Sequence, residues 1–143
     1  MEGQTRFSMY IINVKTTEHS QLVNITKDVE SLIPEGMKNG ICHVFSLHTT
    51  AGLTVNENAD PDVAHDIIET LERMVPWNSN SYRHLEGNSA AHIKASMMGF
   101  AQTLPIIDGK LSLGVWQGLY FCEFDGPRGR SVHVQFFKGL CAE

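Results

Sequence analysis

The last third of the chain most constrains the fold, because β-rich runs alternate there with short turn signals. These runs span 101–107, 111–124 and 131–137. Asp108-Gly109, between the first two, is typical of a tight hairpin turn, and the glycine-rich stretch 124–129 predicts a second turn. Gly114 and Gly118 indicate a bulge or bend within the long middle run. The pattern predicts antiparallel strands joined by hairpins.

Helices are marked earlier in the chain by their end signals. Asp60-Pro61 combines an N-cap acid with a proline at the first helical position, and apolar residues then recur at helical spacing until Pro76. A shorter helix is predicted from Asn88-Ser89 to Gly99, and a brief one with an N-cap at Thr26. Strands with helices inserted between them predict an α+β fold with largely antiparallel sheets and two or three helices.

Three further β-rich runs, at 9–14, 21–25 and 41–48, complete the predicted strands. In the last of these, Ile41, His43, Phe45 and Leu47 share one face. Because this face is apolar, we expect it to lie in the core, with His43 as a buried histidine. Trp116 could line a pocket, but a place in the core is the simpler expectation.

Composition limits the function. The chain has 143 residues, and its 11 basic and 16 acidic residues give a net charge of −5. This predicts a single domain, 1–143, and argues against nucleic acid as a partner. No run is apolar and long enough to cross a bilayer, and the N-terminal residues lack a secretory signal pattern, so no membrane association is expected.

The cysteines do not form a recognisable site. Cys42, Cys122 and Cys141 are odd in number and include no C-x-x-C pair, so they predict neither a disulfide framework nor a thiolate zinc site. Cys42 and Cys122 lie in apolar, strand-like runs, where a free cysteine usually behaves as a small buried hydrophobic residue. This usage suits a reducing cytoplasm.

Three of the seven histidines occupy positions typical of functional groups. His48 ends a strand, His84 lies in a turn-rich loop, and His92 is in the first turn of the short helix. Three neutral imidazoles with an open fourth position would match a catalytic zinc or other transition-metal site, although their spacing is not a recognised motif. His65, on a helix flank, is either a surface residue or a ligand. His19 and His133 are expected to be solvated.

An acid and two arginines extend this set. Glu57 follows the strand after His48, and it is either a general base, a group that orients a metal-bound imidazole, or a solvated loop acid. Arg128 and Arg130 lie on a glycine-rich turn. Their guanidinium groups could clamp a phosphate or carboxylate, while arginines at hairpin tips are also often simply solvated.

Six short motifs occur in a fixed order that resembles the YjbQ-type family, often described as secondary thiamine-phosphate synthase. The resemblance extends from about Met9 to Phe137. The motifs are His48-Thr49-Thr50-Ala51, Asn56-Glu57-Asn58-Ala59-Asp60-Pro61, Tyr82-Arg83-His84 with Gly87, Ala91-His92-Ile93-Lys94 with Gly99, Leu113-Gly114-Val115-Trp116-Gln117-Gly118, and Glu123-Phe124-Asp125-Gly126-Pro127-Arg128.

The resemblance implies a small α+β fold assembled as a homotrimer, with a site near the subunit contacts. It implies that His48, His84 and His92 form a metal or substrate site, for which a divalent metal, zinc above others, is the expected cofactor. It also implies the joining of a pyrimidine pyrophosphate to a thiazole phosphate with loss of pyrophosphate. Glu86 is the only acidic residue between His84 and His92. The expected roles are metal binding by His48, His84 and His92, catalysis by Glu57, Arg128 and Arg130, and substrate binding by Asn56, Arg128 and Arg130.

Two functions are therefore predicted as alternatives. One is a metal-dependent enzyme that acts on a small phosphorylated metabolite. The other is a non-catalytic trimeric protein that binds a metal or an anion. In a third alternative, the histidines build only a structural metal site at the trimer contact.

Overall fold

The computed structural model describes residues 8–139, so Cys141 lies outside the described residues. The strands are β1 (Ser8–Lys15), β2 (Gln21–Asn24), β3 (Gly40–Ser46), β4 (Ala51–Glu57), β5 (Ala101–Ile107), β6 (Lys110–Leu111), β7 (Gln117–Glu123) and β8 (Gly129–Lys138). The helices are α1 (Thr26–Glu30), α2 (Pro61–Met74) and α3 (Ser89–Met98).

The strands form two antiparallel sheets. The larger has the order β1-β8-β3-β5-β6, and the smaller has the order β2-β7-β4. Every strand pair among the described residues is antiparallel. With helices at α2 and α3, this arrangement confirms the predicted α+β fold.

Strand β7 is buried on both faces, and this creates three layers. Leu119 and Phe121 belong to the core between the two sheets. Tyr120 and Cys122 point the other way and pack with Leu71 of α2 and with residues of α3. The order of layers is therefore larger sheet, smaller sheet, helices. None of the helices between residues 8 and 139 is long and apolar enough to span a membrane.

The predicted ends of both longer helices are confirmed. The Asp60 side chain caps α2 by accepting a hydrogen bond from the Asp62 N–H at 2.9 Å. Gly99 ends α3 with a φ of 90°, a conformation that favours glycine. Its carbonyl accepts a bond from the Leu53 N–H at 3.0 Å, which ties α3 to β4. The cap predicted at Thr26 is wrong, because its hydroxyl instead accepts a hydrogen bond from the Leu119 N–H at 2.8 Å.

The orientation predicted for β3 is reversed. Cys42 and Val44 lie in the core, whereas Ile41 and Phe45 are each 43% exposed on the outer face of the larger sheet. His43 shares that outer face, where its Nδ1 is 2.9 Å from the Thr103 hydroxyl, so it is not a core residue. Both faces of this strand are apolar, and packing against the smaller sheet selects the face with the smaller side chains.

The long strand predicted at 111–124 is two separate strands. Between β6 and β7 the chain turns, and the Gln117 side chain accepts a hydrogen bond from the Gly114 N–H at 2.8 Å. The Gln117 N–H in turn donates to the Gly114 carbonyl at 2.9 Å. Trp116 lies on this turn and is 60% exposed, so its predicted place in the core is wrong.

Candidate functional site

A buried ion pair lies where β7 ends and β8 begins. Glu123 is 0% exposed and Arg130 is 4% exposed. The Arg130 Nε donates to Glu123 Oε1 at 2.8 Å, and its Nη2 donates to Oε2. The same Nη2 donates to the Thr50 hydroxyl at 2.8 Å. Arg130 was predicted as one arm of an anion clamp, but its guanidinium is enclosed and has little surface for a ligand.

Glu123 accepts further hydrogen bonds from three groups. The Thr16 hydroxyl donates at 2.8 Å, and the main-chain N–H groups of Phe124 and Asp125 each donate at 3.1 Å. Burial raises the pKa of Glu123, but the hydrogen bonds from Arg130, Asp125 and Thr16 outweigh this effect and hold the pKa below its usual range. The carboxylate is therefore ionised and saturated with donors.

The sequence reasoning missed Glu123 as a site residue. Its one signal is that a single acid stands in the otherwise apolar run from Leu119 to Phe124. A lone charge in a buried strand requires a buried partner. That partner, Arg130, lies on the neighbouring sheet, and local sequence patterns do not report such a pairing.

His48 is bound to the end of the larger sheet through one ring nitrogen. The Ser131 N–H donates to His48 Nε2 at 2.8 Å, so the neutral ring carries its proton on Nδ1. Burial lowers the pKa of His48, and the positive charge of Arg130 lowers it further. The ring is therefore neutral at pH 7 and presents an N–H donor.

Arg128 is an accessible cation in this region. It is 51% exposed, and its Nη2 lies 3.3 Å from Asp125 Oδ2. The Asp125 carboxylate is also bound by the Asn88 side-chain amide at 3.0 Å. The charge of Arg128 makes a smaller contribution to the lowered pKa of His48, after burial and the charge of Arg130.

Gly126 allows the turn before Arg128 to pack closely. A Cβ built at Gly126 would overlap the main-chain oxygen of Glu18. It would also lie 2.8 Å from Glu123 Cγ and 2.9 Å from the Thr16 hydroxyl. The absence of a side chain at this position therefore lets the turn reach the ion pair.

His84 and His92 lie together, as expected. Their ring centroids are 5.2 Å apart, with the planes at 84°. Both rings line a groove of about 480 Å³ that also contains Tyr82 and Arg83. Within residues 8–139, however, no three or more histidine, cysteine, aspartate or glutamate side chains are arranged to hold a metal ion. A single chain thus assembles the pair but not the predicted site of three histidines.

The two other open candidates, His65 and Glu86, are surface residues. His65 is exposed on α2, and its Nδ1 is 3.3 Å from the adjacent Asp66 carboxylate. Glu86 is exposed in the loop before α3.

Glu57 and His48 lie towards opposite ends of β4. Ala51, at the start of the strand, pairs with Glu123, whereas Glu57 pairs with Gln117. At about 3.3 Å per residue, a strand of this length separates its ends by roughly 20 Å. Within one chain, Glu57 and its neighbour Asn56 are therefore not beside His48, and the expected contact between Glu57 and His48 is not formed.

Comparison with known proteins assigns the chain to a family. Residues 10–139 match the family model described as UPF0047 protein YjbQ-like. The chain belongs to this family. Among YjbQ-like relatives, it is 51% identical to the UPF0047 protein MJ1081 of Methanocaldococcus jannaschii over 128 residues, which cover 89% of this chain and 92% of the relative. It is 45% identical to the UPF0047 protein YugU of Bacillus subtilis over 125 residues, covering 87% and 95% of the two chains.

Solved structures of YjbQ-like proteins share the fold. A Clostridium acetobutylicum protein of the yjbq/upf0047 family superposes with a TM-score of 0.87 at 50% identity, covering 90% of this chain and 99% of the other. A protein from Sulfolobus solfataricus also gives a TM-score of 0.87, at 33% identity, covering 94% and 99%. The resemblance to the YjbQ family predicted from six motifs is thus confirmed over nearly the whole chain.

Proposed function

We propose that this YjbQ-like protein is a cytoplasmic, metal-dependent enzyme that acts on a small phosphorylated metabolite. The phosphate group of this metabolite is bound between Arg128 and His48. The observation that carries the proposal is that half-exposed Arg128 lies three residues before Ser131, whose N–H holds the neutral His48 ring and leaves its other ring nitrogen as a donor.

The chemistry of these two groups suits a phosphate. Arg128 has five N–H donors in a planar fork, and Asp125 faces one of its terminal nitrogens at 3.3 Å. His48 adds an uncharged donor through Nδ1–H. Because His48 stays neutral, it contributes direction rather than charge, and Arg128 supplies the electrostatic attraction.

Calorimetric titration with inorganic pyrophosphate tests the anion site. We expect wild-type protein to bind pyrophosphate and Arg128→Gln to lose at least tenfold in affinity, as for loss of a charge-assisted pair. Arg73→Gln is the matched control, since Arg73 is an exposed arginine in the last turn of α2. Equal affinity in both variants would refute the assignment of Arg128.

A metal would be held by His84 and His92 with a ligand from a neighbouring subunit. Neutral imidazoles are suitable zinc ligands, and the two rings lie close together at a groove. His48 can complete the set only if it releases the Ser131 N–H, because the single lone pair of its neutral ring accepts that bond. When bound, a divalent ion would stabilise the charge of a departing phosphate or pyrophosphate.

Elemental analysis of purified variants tests this arrangement. We expect near-stoichiometric metal in wild-type protein and its loss in His84→Ala and His92→Ala. His65→Ala is the control, since that ring is exposed on α2. Metal content unchanged in both test variants would exclude the pair as ligands, and loss in His48→Ala would show that His48 joins the site.

Homotrimer formation through the outer face of the larger sheet is the second part of the proposal. One row of this face runs across four strands through Ile11, His133, Phe45 and Ala101. Ile11 is 56% exposed and Phe45 is 43% exposed. Because this row contains neither acids nor lysine or arginine, copies of the chain can pack on one another without burying unpaired charges.

The oligomeric state of single variants tests this interface. Light scattering should give the mass of a trimer for wild-type protein and a smaller mass for Phe45→Glu, which introduces a charge at the centre of the face. Met74→Glu is the control, since Met74 is 62% exposed on α2. A trimer that tolerates Phe45→Glu would place the contact elsewhere.

For the reaction, we propose thiamine-phosphate synthase activity. The lone pair of the thiazole nitrogen forms a bond to the pyrimidine methylene carbon as the carbon–oxygen bond to pyrophosphate breaks. The nucleophile carries no proton, so this step needs no base, and the distance of Glu57 from His48 is no obstacle. Arg128 and the His48 N–H would bind the departing pyrophosphate.

A pyrophosphate-release assay separates this enzyme from the alternative, a trimeric metal- or anion-binding protein without activity. Turnover of the pyrimidine pyrophosphate and thiazole phosphate that Arg128→Gln abolishes would support the enzyme. Pyrophosphate binding without any turnover would favour the binding protein.

A further inference from the structure

We propose that Glu123 and Arg130 are positioning residues, and that they hold His48 and Arg128 in the orientation needed to bind an anion. The inference rests on the proposed anion site but uses residues that do not touch the ligand. It follows from the hydrogen bonds that leave the buried ion pair in two directions.

The first set of bonds leads from Arg130 to His48. The Arg130 Nη2 donates to the hydroxyl of Thr50, which follows His48 by two residues. The residue after Arg130 is Ser131, whose N–H donates to His48 Nε2 at 2.8 Å. One arginine therefore anchors both the loop that carries His48 and the main-chain donor that fixes its ring. That donor leaves Nδ1–H as the group presented to a ligand.

The second set of bonds leads from Glu123 to Arg128. The Thr16 hydroxyl donates to Glu123 at 2.8 Å and accepts from the Arg128 N–H at 3.0 Å. The Asp125 N–H donates to Glu123, and the Asp125 carboxylate pairs with the Arg128 side chain. Glu123 thus fixes both the main chain of Arg128 and the acid that orients its guanidinium.

The two threonine hydroxyls separate a positioning role from simple stabilisation. Each joins the ion pair to one arm of the site, and both side chains are buried. Thr→Val keeps the shape and removes the hydroxyl, so the ion pair itself remains. Thr→Ser keeps the hydroxyl and is the matched rescue variant.

Nitrogen-15 NMR of the His48 ring and of the Arg128 side chain, with pyrophosphate titration and thermal unfolding, tests the proposal. We expect Thr50→Val to change the tautomer populations of His48, and Thr16→Val to speed solvent exchange of the Arg128 Nη2 protons, which face Asp125. Each should weaken pyrophosphate binding about tenfold, as for loss of one hydrogen bond to a charged group. The serine variants should restore wild-type behaviour.

The outcomes distinguish this inference from the anion site itself. Wild-type tautomer, exchange and affinity in both folded valine variants would overturn the positioning role. Weakened binding in the serine variants as well would also count against it, because the hydroxyl would not be responsible. If wild-type protein binds no pyrophosphate, the proposed function fails, whereas the NMR signals of His48 and Arg128 still decide whether the pair positions them.

Discussion

Lys94 and Glu72 form an ion pair whose two partners differ greatly in exposure. The Lys94 side chain is 0% exposed, whereas the Glu72 side chain is 36% exposed. Lys94 Nζ donates to Glu72 Oε1 at 2.8 Å, and the Ser20 hydroxyl donates to the same oxygen at 2.9 Å. Because one partner is enclosed and the other reaches water, replacing each by methionine should have unequal effects.

Glu72→Met should be strongly destabilising. It leaves the Lys94 ammonium enclosed without its counter-ion, and loss of one partner of a buried pair typically costs about 3–5 kcal/mol. About a third of the Glu72 side chain is exposed, so water can partly take the place of the lost carboxylate. We therefore expect a cost at the lower end of this range, about 3 kcal/mol. Lys94→Met leaves a carboxylate that water and Ser20 can solvate, so its cost should stay within about 1 kcal/mol.

The pH dependence follows from the pKa of Glu72. Burial raises this pKa, but the hydrogen bonds from Lys94 and Ser20 outweigh it and lower the pKa overall. A lowered folded pKa gives stability that is present above about pH 4.3, the ordinary value for Glu, and is lost as the pH falls through the folded value. Protonation of Glu72 leaves the buried Lys94 ammonium without its counter-ion in wild-type protein. Lys94→Met removes this ammonium, so the stability of the variant should rise relative to that of wild type as the pH falls.

Urea denaturation of wild type, both single variants and the double variant gives the coupling energy between the two side chains. The protein concentration must be equal throughout, because association shifts apparent stability. The double variant should resemble Lys94→Met. If Lys94→Met costs as much as Glu72→Met, or if Glu72→Met costs less than about 1 kcal/mol, the argument from exposure is refuted.

Two further predictions concern the turn before Arg128 and the thiols. Gly126→Ala should lower the free energy of unfolding by about 1–3 kcal/mol, because its methyl group would overlap main-chain oxygen, whereas Gly129→Ala, with open space at that position, should be tolerated. Thermal unfolding of the two variants compares them directly. Burial raises the pKa of Cys42 and of Cys122 to about 12. In a Cys141→Ser background, neither thiol should react with a disulfide reagent at pH 8 until the protein unfolds; prompt reaction of the native protein would contradict this.

Local signals made the longer helices predictable from the sequence. The cap of α2 is a hydrogen bond between Asp60 and Asp62, two residues apart, so the sequence pattern contains both partners. The turn at Asp108-Gly109 is equally local, and both residues have positive φ values, 52° and 77°. At these two elements the bonding or turn-forming residues are adjacent or nearly so in sequence, and pattern and structure agree.

The candidate site depends on partners that are remote in sequence. Thr16 and Glu123 are separated by 107 residues, and Thr50 and Arg130 by 80. The sequence identified Arg130 as a cation on a turn, but its role depends on Glu123 on another sheet. Positions at a strand end, in a loop and at a helix start likewise suggested a set of three histidines, whereas the fold of one chain brings only His84 and His92 together.

The exposed apolar face of β3 has an explanation in the proposed homotrimer. Alternation along β3 defines two apolar faces, and a single chain covers only that of Cys42 and Val44. Burial of apolar surface is favourable by roughly 25 cal/mol per Å². A sheet with Ile41 and Phe45 on its outer face therefore favours association. In the trimer both faces of β3 would be buried, and this would account for the apolar residues on each face. Phe45→Glu therefore tests the interpretation of this strand together with the assembly: a trimer that survives it requires another partner for the outer face.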